Sequence, residues 1–406
     1  MANTADIDDT DDAEEGGVLD DLAGLPTMAH PTVSPDGNRV ALYYDVTGRN
    51  ELHVLDIESG ELAQWSDGEV PRNARWFVRW DTDGERVLFH SDEGGNEQND
   101  IYAITADGTV EPVVEQPGQT AVEDVHDEML LFRSSRDGQM NLYRHANGET
   151  TKLTDYDRAV WASHLSPDGE RIAYSTNETD DFDNRDVYVA AADGSDPRNL
   201  ELGEVGAESF PADWSDDGDL LVGDNTEDLG RAGVYDPGTD EVTWYGAGEY
   251  EETPVAFLPD GQFVATRDRD AVTVPVVYDR ETGEGRELAV PEGVSTFGRL
   301  DTGGVVTADG RLVFQHTTPT RRPELVAYDL DADEYDVLIE AEYGPFSPDD
   351  FADAEYLTFE SDGVPETSAR AVEHDPYETL EIGALLYDSG ERPSPLVVNP
   401  HGGPRG

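Results

Sequence analysis

A four-residue turn signature, each time followed by an apolar strand, recurs along this chain at nearly constant spacing. It reads Ser34-Pro35-Asp36-Gly37, Asp81-Thr82-Asp83-Gly84, Ser166-Pro167-Asp168-Gly169, Ser215-Asp216-Asp217-Gly218 and Leu258-Pro259-Asp260-Gly261. The turn aspartates Asp36, Asp83, Asp168, Asp217 and Asp260 lie 47, 85, 49 and 43 residues apart. The doubled interval leaves room for one unit whose turn has diverged, over Glu123 to Arg133. A further unit follows the last turn, over Phe297 to Thr307, with Asp301-Thr302-Gly303-Gly304 in the turn's place. Asp and Gly serve such turns through side-chain capping and positive φ, and Pro presets φ. One such turn means little. Five in phase mean that a single supersecondary unit is repeated.

Each unit reads as four strands. In the fourth, Trp161 to Leu165 enters the turn and Arg171-Ile172-Ala173-Tyr174-Ser175 leaves it. Asp186-Val187-Tyr188-Val189-Ala190 follows, and Arg198-Asn199-Leu200 closes the unit. A four-stranded sheet with two apolar faces cannot bury both by itself and must pack between neighbours, which a ring of such sheets provides. The expected fold is therefore all-β, a seven-bladed β-propeller. Third strands end in Val234-Tyr235-Asp236, Val277-Tyr278-Asp279 and Ala327-Tyr328-Asp329, in place of the Trp-Asp marks of WD40 blades. These tyrosines are expected to pack between blades.

After Ile339 the period is lost. Three further strands are expected, Ala354 to Phe359, Leu380 to Tyr387 and Leu396 to Asn399, with Ser361-Asp362-Gly363 as the first turn. The expected organisation is an acidic disordered tail over 1–17, with one short helix following at Val18 to Leu25, a propeller over 18–340, and a second, incomplete domain over 341–406.

Charge narrows the function classes. The chain of 406 residues carries 91 Asp and Glu against 26 Lys and Arg, a formal charge of -65, and Lys152 is its sole lysine. Self-repulsion of that size opposes compaction in dilute buffer and is screened only over a Debye length of roughly 3 Å, that of 1 M salt. The composition reads as salt-adapted. Aromatic residues make up 9% and apolar strands are regular, so an acidic disordered chain is not the reading taken. A polyanion without a Lys/Arg stripe does not suit nucleic acid, and no segment suits a membrane. Cysteine is absent, and Met1 to Asp12 has neither basic nor apolar signal character, so a cytoplasmic location is expected.

The chain's last residues are Pro395-Leu396-Val397-Val398-Asn399-Pro400-His401-Gly402-Gly403-Pro404-Arg405-Gly406. An apolar strand running into His-Gly-Gly-Pro is how the oxyanion-hole loop of an α/β-hydrolase begins. Taken in order, the repeat, then Tyr356 to Glu360, Gly383-Ala384-Leu385-Leu386-Tyr387 and the His401 loop resemble serine peptidases of the prolyl oligopeptidase family, nearest to acylaminoacyl peptidases. The blades also resemble those of TolB. The resemblance implies a propeller of the TolB and prolyl oligopeptidase type, followed by the first strands of an α/β-hydrolase domain. It implies short peptides as substrates, Ser-His-Asp acyl transfer without a metal or other cofactor, and a C-terminal hydrolase half as partner. Gly403, beside Gly402, would donate a backbone N–H to the oxyanion, and His401 would support the loop.

No Gly-x-Ser-x-Gly elbow occurs, so Ser134, Ser135, Ser209 and Ser295 are not read as nucleophiles. His90, His126, His164 and His316 are read as structural. The acidic loop Asn177 to Asp186 lacks the glycine and terminal glutamate of an EF-hand and is read as solvated rather than as a metal site. The chain alone is expected to be catalytically inactive, with a TolB-like binding or scaffold module as the alternative.

Overall fold

A computed structural model describes residues 15–259, 261–298, 304–360, 381–390 and 392–400. The chain forms two compact units. The first comprises residues 1–318 and 322–345, and the second residues 319–321 and 346–406.

In the first unit, consecutive strands pair antiparallel in chain order. Four-stranded sheets span residues 28–64, 79–114, 120–152, 161–199 and 209–244. An eight-stranded sheet covers residues 251–339. In strand order it is two meanders, joined by one parallel pair between Thr273 and Val294. The expected count of seven rests on dividing it there. Among the described residues the only α-helix is Glu15–Ala23. It begins three residues before the expected start at Val18, inside the segment read as tail.

The turn signature works as its chemistry dictates. The Ser34 hydroxyl donates to Asp36 at 2.5 Å and accepts from the Arg39 N–H at 3.0 Å, while the Gly37 N–H donates to the Ser34 carbonyl at 2.8 Å with φ +72°. The same three bonds recur at Ser166, Asp168, Gly169 and Arg171. The hydroxyl bond from Ser34 or Ser166 is the main cause holding the Asp36 or Asp168 carboxyl below its ordinary range. In the last unit the equivalent turn is Thr307-Ala308-Asp309-Gly310, not the expected Asp301 to Gly304: Thr307 bonds Asp309, and the Gly310 N–H reaches the Thr307 carbonyl at 2.9 Å. Threonine supplies the same hydroxyl as serine, and Gly304 instead lies on the inner edge, bridged to Val33. Residues 301–303 lie outside the described residues.

Each apolar cluster draws on two neighbouring sheets or on the two meanders of the eight-stranded one. Tyr43 and Leu52 of the first meet Trp80 and Phe89 of the second. Leu131 and Leu142 of the third meet Ile172 and Tyr174 of the fourth. Tyr278 packs on Leu221 and Val234 of the preceding sheet, and Tyr328, in the second meander of the eight-stranded sheet, on Val264 and Val277 of the first, so these third-strand tyrosines sit between neighbouring units. Their hydroxyls reach carboxylates, Tyr278 to Glu252 at 2.7 Å and Tyr328 to Asp333 at 2.6 Å. Val40 and Leu42 of the first sheet meet Val313, Leu325 and Ala327 near the end of the unit, which closes the ring by packing. Burying one such side chain contributes about 1.5–3 kcal/mol, so closure stands on several of them.

In the second unit, Ala354–Glu360 pairs antiparallel with Glu381–Tyr387. The expected third strand does not form: Leu396 to Asn399 carries no strand pairing, and Leu396, Val397 and Val398 are 79, 85 and 75% exposed. A strand needs a hydrogen-bonded neighbour, and this segment has none among the described residues.

Candidate functional site at the central channel

The residue two places before each turn faces the axis of the ring. Thr32, Arg79, Asp124, His164, Asp213, Ala256 and Val305 occupy that position and line a cavity of about 430 Å³. Three of the residues that follow them, Trp80, Leu165 and Trp214, are buried in the apolar clusters between sheets. These seven residues thus share one register at the channel, and Arg79, Asp124, His164 and Asp213 are its ionisable members.

Hydrogen bonds across the sheet boundaries hold these inner strands together. The Trp80 indole N–H donates to the Thr32 carbonyl at 3.0 Å, and Trp214 does likewise to the His164 carbonyl at 3.3 Å. Arg79 donates to the Glu123 carbonyl at 3.0 Å and pairs with Asp124. Asp124 accepts from the Leu165 N–H of the next sheet at 2.8 Å. Asp213 repeats that bond with the Phe257 N–H, also at 2.8 Å, and accepts from its own neighbour Trp214. The Val33 N–H donates to the Gly304 carbonyl at 2.8 Å where the ring closes. Asp124 and Asp213 therefore do the same mechanical work in different electrostatic settings. Asp124 has the Arg79 guanidinium beside it. Burial pushes the Asp213 carboxyl up to about 7, and the Asp124 charge adds to this. The N–H groups of Phe257 and Trp214, with Arg79, oppose it.

Of the singled-out histidines, His164 lines the channel, whereas His90 and His126 bridge neighbouring sheets. His90 accepts from the Val122 N–H at 3.0 Å and contacts the Phe77 carbonyl at 3.2 Å, linking the second and third sheets. His126 contacts the Pro167 carbonyl at 2.9 Å. Ser295 and His316 stand 3.0 Å apart, a spacing suited to a nucleophile and its base, but they are cross-strand partners and both buried, so no substrate reaches them. The loop residues His401, Gly402 and Gly403 lie outside the described residues. Sequence reading missed the channel register, although the signal was present: Arg79-Trp80-Asp81, His164-Leu165-Ser166 and Asp213-Trp214-Ser215 stand in phase before their turns.

Among the described residues, no helix is long and apolar enough to cross a membrane.

No family profile matches the chain. It is 29% identical over 182 residues to the uncharacterized peptidase YuxL of Bacillus subtilis (strain 168), covering 44% of this chain and 26% of that one. It is 27% identical over 201 residues to the uncharacterized protein Atu1656 of Agrobacterium fabrum, covering 46% of this chain and 66% of that one. The chain thus spans less than two thirds of either relative. Among solved structures, a prolyl endopeptidase aligns with a TM-score of 0.65 at 15% identity, covering 86% of this chain and 54% of its own. A puromycin-hydrolyzing peptidase of Mycobacterium tuberculosis gives 0.63 at 16%, covering 82% and 55%. Prolyl oligopeptidase B of Galerina marginata gives 0.64 at 13%, covering 93% and 58%. The in-phase turns, the ring of packed sheets and these alignments lead to one statement: the chain has the all-β propeller fold found in prolyl oligopeptidases.

Proposed function

We propose that this chain is the propeller part, with the opening strands of the hydrolase domain, of an oligopeptidase-like serine hydrolase acting on short peptides. The observation that carries the reading is the channel. Its cavity of about 430 Å³ is lined by the inner strands and stapled across sheet boundaries, a neck that a side chain or short extended peptide can enter and a folded protein cannot. The 29% identity to a peptidase relative agrees with this. The domain boundary near Ala341 and the oxyanion-hole roles of Gly403, Gly402 and His401 belong to the same proposal. So do the acylaminoacyl-peptidase kinship, the salt-adapted cytoplasmic setting and the absence of a metal cofactor.

On this reading a separate or following polypeptide supplies Ser, Asp and His, because the chain has no Gly-x-Ser-x-Gly elbow and the Ser295–His316 pair is sealed. The expected outcome for the purified 406-residue chain is no hydrolysis of an acyl-amino-acid p-nitroanilide at molar salt. Turnover should appear when a polypeptide carrying the triad is joined to it. Serine-hydrolase turnover from the purified chain alone would sink the claim that the triad lies elsewhere.

A further inference from the structure

The junction of the fourth and fifth sheets carries an apolar patch that folding does not use. Trp161, which opens the inner strand Trp161–Leu165, is 42% exposed, whereas the other five tryptophans are buried or half-buried. Phe182 and Val205, on the loops flanking it, are 80 and 73% exposed.

The patch is held in place rather than left loose. A register shift between Trp161 and Ser163 leaves Ala162 at φ +32°, a backbone conformation that costs an L residue of order 1–3 kcal/mol. Two guanidiniums stack on the indole, Arg185 at 5.0 Å and Arg133 at 5.7 Å from its centre. Arg133 is anchored by the buried Glu123. Arg185 pairs with Glu208 at 3.4 Å, and its backbone bonds Ala207 at 2.8 Å and Ser209 at 2.9 Å. Asn184 accepts from the Gly206 N–H at 3.0 Å, tying the loop of Phe182 to the loop of Val205. The loop of Phe182 leaves the strand beside Trp161, since Ser175 pairs with Trp161 and Thr176 donates to the Ala159 carbonyl at 3.1 Å. A strained residue and two fixed cations thus present an aromatic ring that stays in water, on the strand whose His164 and Leu165 line the channel.

We propose that this patch is a binding site for a short, neutral or cationic peptide bearing an aromatic or large aliphatic side chain, which lies against Trp161 and Phe182. The proposal rests on the peptide reading above and adds where and by what side chain the peptide is held. Charge selects the occupant. Asp180, Asp181 and Asp183 flank Phe182 and the chain carries -65, so an anionic peptide is repelled. At molar salt that selection is screened over roughly 3 Å, while apolar contact keeps its strength, so an exposed aromatic is the group that still binds there.

The test is titration of the purified chain in molar KCl with acetyl-Ala-Phe-Ala-amide, its all-alanine counterpart and its Glu-for-Phe counterpart, read by tryptophan fluorescence and calorimetry. The Phe peptide should bind about tenfold tighter than the alanine and Glu ones, the order expected for burying one large side chain. Trp161→Ala should weaken the Phe peptide about tenfold. Phe182→Ser, at a position too exposed to disturb the fold, should weaken it severalfold. Equal affinity in wild type and both variants overturns the site and leaves the peptide reading standing. Absence of any peptide binding to wild type overturns the site, the peptide reading then being decided by turnover of the joined polypeptides. A Trp161-dependent dimer in sedimentation also overturns it, because a second copy would then be the occupant.

Discussion

Asp124 and Asp213 show how one residue type at one register position meets two surroundings. Both accept an N–H from the next sheet, but Asp124 has a guanidinium beside it and Asp213 has mainly burial around it. The sign of the pH effect follows. A carboxyl whose folded value is about 7, against roughly 3.9 unfolded, binds its proton more tightly when folded. Its contribution is therefore full below about pH 4, declines as pH rises, and is gone above about pH 7. Thermal melts of wild type and Asp213→Asn should differ in slope over this window, with wild type losing more stability from pH 5 to 8 than the variant. Parallel curves would refute the assignment. Other carboxylates shift the opposite way, as at Asp36, so the difference between the two proteins is the quantity to read.

At the level of elements, the two units stand on different supports. Strands of the first are sandwiched, with Val40, Val87, Leu131, Ile172 and Leu220 essentially inaccessible. The pair Ala354–Glu360 and Glu381–Tyr387 leaves Phe359, Leu385 and Tyr387 53, 45 and 55% exposed. A two-stranded sheet is marginal in water, and open strand edges invite pairing with other chains. Limited proteolysis at high salt, followed by mass spectrometry, should cut beyond Phe346 first and leave residues 18–340 intact. Equal protection of both units would contradict this. The strand alternation was readable here, but Leu396 to Asn399 shows its limit, since an apolar run becomes a strand only when a neighbour is present to bond it.

For the whole molecule, the -65 charge must be set against the apolar seams that neighbouring sheets share. The seams are short-range and salt strengthens them, whereas the repulsion is long-range and salt removes it. Raising KCl from about 0.1 M, where the Debye length is about 10 Å, to above 1 M should therefore raise the melting temperature by about 10 °C or more. A midpoint independent of salt would mean that the surface carboxylates are compensated by other means.

The sequence by itself determined the repeat, because Ser-Pro-Asp-Gly is a local device: Ser34, Asp36 and Gly37 complete their bonds within six residues wherever the rest of the chain lies. It likewise determined the strand faces and the packing of Tyr235, Tyr278 and Tyr328, which follow from a period of two. Only the tertiary structure decided which positions meet at the axis, that Asp124 and Asp213 hold the neighbouring sheets, and that Thr307 rather than Asp301 opens the last turn. Only it showed that Trp161 remains in water between two arginines. Those outcomes depend on partners some 40 to 50 residues away, or nearly 300 at the ring closure between Met28 and Gln315, and a local pattern carries no information about such distances until the ring has closed.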